Sequence, residues 1–311
     1  MNPLQPFLEN SGLLMLDGGL ATELENRGHD LDDALWSARL LVDDPMAIAQ
    51  VHQDYLAAGA DCLITASYQG TIHGFKQRGF GKSEAEGLLT QAVQLALDAR
   101  DAFWAIPENR PGRIRPIVAA SIGPYGAALA DGSEYTGNYD LEEEGLRLFH
   151  RRRFQILADT RADIMACETI PSYLEATALI SLLQKTPDRY AWFAFSCRDD
   201  KRINDGTPLA ICAELLDGID QVAAVGINCT APGLIPGLIA EIKRVSNKPI
   251  IVYPNSGEEY DSTSRRWVGS SDSDGFAQAS LQWRSAGATL IGGCCRTGPE
   301  HIRKMRSQLI K

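Results

Sequence analysis

Ala286-Gly-Ala-Thr-Leu-Ile-Gly-Gly-Cys-Cys-Arg-Thr-Gly-Pro-Glu300 reads as the end of one helix, a short strand and the start of another helix. A glycine just after a helical run closes it, because a residue without Cβ takes the left-handed conformation at no steric cost. The apolar run that follows predicts a strand over Thr289–Cys294. Thr297-Gly-Pro-Glu300 then places proline and an acid where a first helical turn favours them. The same Ala-Gly-Ala recurs at Ala58–Ala60, again ahead of an apolar run.

Working outward from these two units, the alternation extends along the chain. It predicts strands at Leu13–Asp17, Cys62–Ala66, Pro116–Ala120, Ile164–Glu168, Ala191–Cys197, Ala224–Cys229, Pro249–Pro254 and Thr289–Cys294. Several are nearly continuous in Val, Ile, Leu and Ala, as parallel strands covered on both faces are. Amphipathic helices are expected at Pro45–Ala58, Ser83–Ala105, Leu141–Asp159, Ser172–Lys185, Pro208–Leu216, Leu234–Val245, Asp274–Ser285 and Pro299–Ile310. This repeated strand–helix order predicts an α/β fold, a (β/α)8 TIM barrel. A doubly wound open sheet competes with it, but its first strand should run into G-x-G-x-x-G, and here it runs into Asp17-Gly18-Gly19. No linker, low-complexity tract or charge block divides the chain, so residues 1–311 read as one barrel domain.

Composition narrows the partners. The 311 residues carry a formal net charge of −10, whereas nucleic-acid binding relies on clustered Lys and Arg. The one conspicuous basic run, Arg151-Arg152-Arg153, lies in a helical pattern and reads as a solvated face or a salt bridge at the bottom of the barrel. No apolar run approaches the ~20 residues of a membrane span, and the first residues lack the basic start and apolar stretch of a secretion signal. The expected partners are therefore small molecules rather than nucleic acid or membrane, and the expected compartment is the cytoplasm. The sequence carries no signature of oligomeric state. Its 7 cysteines are Cys62, Cys167, Cys197, Cys212, Cys229, Cys294 and Cys295. An odd number without a secretion signal argues against a disulfide framework and leaves metal binding or catalysis as the reason for clustering.

In a barrel the active face lies at the C-terminal ends of the strands. Those ends offer Asp17, Thr65 with Ser67, Ser121, Glu168, Ser196, Asn228 with Cys229, Asn255, and Cys294 with Cys295. The sixth and eighth strands flank the seventh, so Cys229, Cys294 and Cys295 can converge on one ion. Adjacent residues of a regular strand point to opposite faces; Gly292-Gly293 and the exit through Arg296-Thr297-Gly298 are expected to let the backbone leave that geometry. Three sulfur ligands leave one position open, which marks a catalytic site, and soft ligands select Zn2+ and accept a substrate sulfur. The 5 histidines form no H-x-H or H-E-x-x-H arrangement. A strained Cys294–Cys295 disulfide in a redox barrel is the competing reading. Glu168, among apolar neighbours, suits an amino group or a salt bridge to a loop cation. Asp17-Gly18-Gly19 suits an amino acid's carboxylate and ammonium, or a plain tight turn. Asn255 suits substrate or loop stabilisation. Cys62, Cys167, Cys197 and Cys212 read as packing.

Leu16-Asp-Gly-Gly-Leu-Ala-Thr-Glu23, Ala66-Ser-Tyr-Gln69, Ser121-Ile-Gly-Pro-Tyr-Gly126, Ala166-Cys-Glu-Thr169, Gly226-Ile-Asn-Cys229, Tyr253-Pro-Asn-Ser-Gly257 and Ile291-Gly-Gly-Cys-Cys-Arg296 together resemble the homocysteine S-methyltransferase family. The likeness runs from about residue 13 to the C-terminus. Its overall length and the loop Ala130-Asp-Gly-Ser-Glu-Tyr135 are most similar to the bacterial members that use S-methylmethionine. The resemblance implies a (β/α)8 barrel, zinc on Cys229, Cys294 and Cys295, and homocysteine as methyl acceptor. It also implies Asp17 and Glu168 for the homocysteine amino group and the Gly18–Gly19 backbone for its carboxylate. The expected donor is a sulfonium, S-methylmethionine or S-adenosylmethionine, near Tyr125, Asp131, Glu134 and Tyr135; selenocysteine or another thiol is an alternative acceptor. One departure is Leu20, which follows the turn where Met is common.

Overall fold

The computed structural model describes residues 1–310 apart from 32, 34, 262–265 and 269–271. The strands are β1 (Leu14–Met15), β2 (Cys62–Ile64), β3 (Ile117–Ile122), β4 (Ile164–Ile170), β5 (Ala191–Phe195), β6 (Val222–Asn228), β7 (Ile250–Tyr253) and β8 (Ala288–Ile291). The major helices are α1 (Pro45–Ala58), α2 (Lys82–Ala105), α3 (Glu143–Ala158), α4 (Tyr173–Leu183), α5 (Leu209–Asp217), α6 (Ile235–Lys243), α7 (Ser273–Ala286) and α8 (Pro299–Leu309). All strand pairs of the main sheet are parallel, in the order β1-β8-β7-β6-β5-β4-β3-β2. The sheet closes where Leu16 bridges Cys62 and Asp17 donates its N–H to the Cys62 carbonyl at 3.1 Å. This is the TIM barrel expected from the sequence.

Strand alternation sorts the apolar residues into two cores. Leu14, Leu16, Cys62, Ile117, Ala119, Ile164, Ala166, Trp192, Ala194, Ile251 and Leu290 fill the barrel interior. Met15, Leu63, Val118, Ala120, Met165, Cys167, Phe193, Val225 and Val252 face the surrounding helices. Cys212 joins that outer core and Cys197 packs against it, so these cysteines are packing residues as expected. The short helix Gln5–Asn10 seats Leu4 and Phe7 in the interior cluster. At the N-terminal ends of the strands, buried Asp61 ion-pairs with Arg113 and Arg306 and accepts the Met15 N–H at 3.2 Å.

Some boundaries differ from expectation. The last strand stops at Ile291, before the cysteines, where the backbone leaves the regular ladder for the turn after β1: Gly293 donates its N–H to the Asp17 carbonyl at 3.1 Å. β4 runs past Glu168 to Ile170. Helices Leu20–Asn26, Ile72–Gln77 and Tyr125–Leu129, and an antiparallel hairpin Glu259–Asp261 with Arg266–Val268, decorate segments read as loops. The Arg151–Arg153 run is also corrected. Arg151 is exposed and Arg152 pairs with Glu86 at 2.7 Å, but Arg153 is 2% exposed and reaches the active face rather than solvent or the barrel bottom. Its guanidinium has the length to climb from mid-helix to two loop carbonyls. No helix among the described residues is long and apolar enough to cross a membrane.

Candidate active site

Cys229 leaves the end of β6, and Cys294 with Cys295 leave the end of β8. Their three Sγ atoms lie within 4.8 Å of one another, and Cys229 and Cys295 are 3.7 Å apart. A tetrahedral site with ~2.3 Å metal–sulfur bonds has sulfur–sulfur edges of about 3.8 Å. The adjacent pair therefore turns to one side, but not through its glycines. Neither Gly292 nor Gly293 has positive φ; that conformation falls on Arg296 (φ +64) and, across the site, on Cys229 (φ +48). Gly292 and Gly293 are needed for close approach instead. A Cβ on Gly292 would stand 2.5 Å from the Leu16 Cβ, and one on Gly293 would collide with the Thr297 side chain. Hydrogen bonds hold the turn in place: Cys294 N–H to the Pro254 carbonyl (2.9 Å) and Ser256 N–H to the Cys295 carbonyl (3.1 Å).

A third left-handed residue, Thr169 (φ +57), faces the same site. This conformation is costly for a β-branched side chain. Fully buried Asn228 offsets it: its Oδ1 accepts the Thr169 N–H at 2.7 Å, and its Nδ2 donates to Thr169 Oγ1 at 2.8 Å and approaches Cys294 Sγ at 4.0 Å. Hydrogen bonds from Cys229 and then Cys294 hold the Cys295 thiol well below its usual range.

Two carboxylates share this end of the barrel interior. Glu168, 6% exposed, accepts the Ser121 hydroxyl and hydrogen-bonds Tyr253, whose hydroxyl also accepts the Trp192 indole N–H at 3.1 Å. Burial, with a smaller contribution from Cys294, pushes its carboxyl up to about 8. Asp17, 2% exposed, accepts the Ile64 N–H at 2.8 Å through Oδ2, while its buried Oδ1 has no partner among the described residues. Burial first, then Glu168 and Cys294, raise its carboxyl well above the usual carboxylate range. Two buried acids, one raised in part by the other and carrying an orphaned oxygen, form a place for a cation. Beside them the Gly19 amide donates to the Thr297 carbonyl at 3.0 Å. Asn255 is half-buried, gives its N–H to Thr230 at 3.1 Å, and leaves its side-chain oxygen buried without a partner among the described residues.

The long loop after β3 is anchored by a buried ionic cluster that sequence reading missed. Glu175 Oε1 accepts His150 Nε2 at 2.7 Å and the Tyr125 N–H at 2.5 Å. Arg153 donates to the Gly123 carbonyl at 2.5 Å, to that of Tyr68 at 3.3 Å, and meets His150 Nδ1 at 3.0 Å. Of the loop residues named from sequence, Tyr125 packs edge-on against Tyr139 and Phe149. Asp131 is exposed and caps Ser133. Glu134 keeps a buried oxygen without a partner among the described residues, and the Tyr135 phenol is pushed up first by Cys229, which puts Tyr135 beside the thiols. Tyr68, not singled out from sequence, hydrogen-bonds Thr169 and feels Cys229 as well.

The homocysteine S-methyltransferase family profile matches residues 14–309. The chain is 53% identical over 305 residues to the homocysteine S-methyltransferase YbgG of Bacillus subtilis, covering 98% of this chain and 97% of that protein. It is 46% identical over 308 residues to the homocysteine S-methyltransferase of Escherichia coli, covering 99% and 98%. The crystal structure of the E. coli homocysteine methyltransferase MmuM in its metallated form superposes with a TM-score of 0.89 at 44% identity, over 99% of this chain and 100% of that one.

Proposed function

The chain belongs to the homocysteine S-methyltransferase family and is an enzyme that methylates homocysteine; from that premise we propose that it does so as a zinc enzyme with a sulfonium methyl donor, S-methylmethionine. The observation that carries the reading is three thiols within 4.8 Å of one another beside two buried carboxylates. The donor set fits a soft divalent cation. Cys229, Cys294 and Cys295 would hold Zn2+, which when bound supplies an open position for a substrate sulfur and lowers the pKa of that thiol.

The remaining work falls to the chain itself. Asp17 Oδ1 and Glu168 take the homocysteine ammonium, whose positive charge offsets the burial that disfavours their ionised forms. The Asp17-Gly18-Gly19 turn takes the carboxylate, with the Gly18 amide as donor because that of Gly19 is held by Thr297. Asn255 lends its unpartnered oxygen to the same end of the site. Glu134, with its unpartnered oxygen, and the faces of Tyr135 and Tyr68 receive the cationic donor. The homocysteine thiolate, its proton released to solvent, attacks the donor methyl carbon. The new S–CH3 bond forms as the S+–CH3 bond breaks, and its electron pair stays on the donor sulfur, which leaves as a neutral thioether. With S-methylmethionine both products are methionine. Orienting the two reactants contributes on the order of 7–11 kcal/mol in well-aligned systems.

The test is a methyl-transfer assay with homocysteine against S-methylmethionine, S-adenosylmethionine and betaine, with and without a chelator. Expected is chelator-sensitive methionine formation with S-methylmethionine as the preferred donor. Transfer that survives complete metal removal would contradict the zinc assignment, and a preference for betaine would contradict the donor.

A further inference from the structure

The amino-acid-binding turn after β1 and the cysteine turn after β8 are locked together backbone to backbone. Gly293 N–H donates to the Asp17 carbonyl (3.1 Å), Gly19 N–H to the Thr297 carbonyl (3.0 Å), and Arg296 N–H to Thr22 Oγ1 (2.9 Å). The surfaces are closed enough that a Cβ on Gly19 would stand 2.6 Å from the Cys294 carbonyl oxygen. Thr297 is the hub. Its hydroxyl donates to the Cys294 carbonyl at 2.7 Å, its N–H reaches the same carbonyl at 3.2 Å, and its own carbonyl receives Gly19. From α1, the buried Tyr55 hydroxyl lies 3.1 Å from both the Gly19 and Thr297 carbonyls, pinning the two turns with one group.

A thiol amino acid bound as proposed above must span these two turns, its sulfur at the cysteines and its α-ammonium and carboxylate at Asp17-Gly18. Rigid ends separated by a fixed distance measure the chain between them. We propose that Thr297, supported by Tyr55, is a specificity-determining positioning residue that sets this spacing and so selects homocysteine over cysteine, one methylene shorter. The inference rests on the assignment of the substrate's two ends given above. Neither residue touches the substrate; both act through the carbonyls and amides that they hold.

Thr297→Val keeps the shape and removes the hydroxyl, Tyr55→Phe removes the pin, and Thr297→Ser restores a hydroxyl. The measurement is kcat/KM for homocysteine and for cysteine with one sulfonium donor, the competitive inhibition constant of cysteine, and the zinc content of each protein. A methylene difference is worth roughly 10–200-fold in discrimination. The wild type is expected to discriminate at least to that extent. Thr297→Val and Tyr55→Phe should narrow the ratio about tenfold or more, mainly through a higher homocysteine KM, with zinc content unchanged, and Thr297→Ser should restore it. A ratio unchanged in both variants would overturn the inference while leaving the methyl transfer of the wild type intact. Loss of zinc from both would also overturn it, since the hydroxyls would then be holding the sulfur loop itself. A wild type inactive with homocysteine would instead overturn the function on which the inference rests.

Discussion

Glu168 sits where a charge is least stable, and its neighbours only partly compensate. Its folded pKa of about 8 lies above the ordinary 4.5, with burial as the main cause. The native state therefore binds more protons than the unfolded chain between those values, and stability falls as pH rises through that window. Glu168→Gln is expected to be more heat-stable than the wild type at about pH 8.5, the difference closing near pH 5; equal melting temperatures at both would contradict the buried-charge account. In the proposed binding mode the same substitution removes one charged partner of the substrate ammonium, a bond worth roughly 1.5–3 kcal/mol. Homocysteine kcat/KM should then drop about 10–100-fold while zinc content stays the same. At this scale the sequence was informative for groups at strand ends, because Asp17, Glu168, Cys229, Cys294 and Cys295 each close an apolar run. It gave no signal for Thr297 or Tyr55 as a link between the turns, because the contacts of Thr297 with Gly19 and with Tyr55 join residues 278 and 242 apart. Tyr253 was hidden for another reason: as an aromatic inside a strand it reads as core, and it is core while also serving Glu168.

At the scale of elements, the loop after β3 owes its position to α3 and α4 rather than to its own residues. The His150–Glu175–Arg153 cluster is fully or nearly fully buried and grips Gly123, Tyr125 and Tyr68 by their backbones. Removing one partner of such a cluster leaves an uncompensated buried charge, at a cost of roughly 3–5 kcal/mol. Arg153→Met is expected to lower stability by that order and to raise the donor KM more than the homocysteine KM, which steady-state kinetics with each substrate varied in turn would read. Equal effects on the two would place the cluster outside the donor side. Helical periodicity made α3 and α4 visible from sequence. The cluster was not visible, because a run of arginines has the same appearance whether it is solvated or buried, and only the third of them turns inward. The hairpin Glu259–Asp261 with Arg266–Val268 was missed because its three-residue strands are too short to show a period.

For the whole molecule, the division between a functional end and a structural end of the barrel has a measurable consequence. Asp61, at the N-terminal end of β2, ties Arg113 and Arg306 to the Met15 amide far from the thiols. Asp61→Asn should destabilise the protein by about 3 kcal/mol or more yet leave kcat/KM for both substrates within twofold, as judged by denaturant unfolding beside kinetics. A proportionate loss of activity in the folded protein would contradict that division. The barrel itself was legible because its eight apolar runs and amphipathic spacers are set by local periodicity. Where each strand stops was less legible, since that depends on the neighbouring turn it meets, as β8 shows in its bond to the turn after β1. The central claim, that three cysteines from two strand ends hold one zinc for the substrate sulfur, is tested most directly by metal stoichiometry. Freshly purified wild type should carry about one zinc per chain, and Cys229→Ser, Cys294→Ser and Cys295→Ser should each lose zinc and methyl transfer together while remaining folded. A wild type without stoichiometric metal after purification in zinc, or any one of the three variants that keeps both zinc and activity, would contradict it.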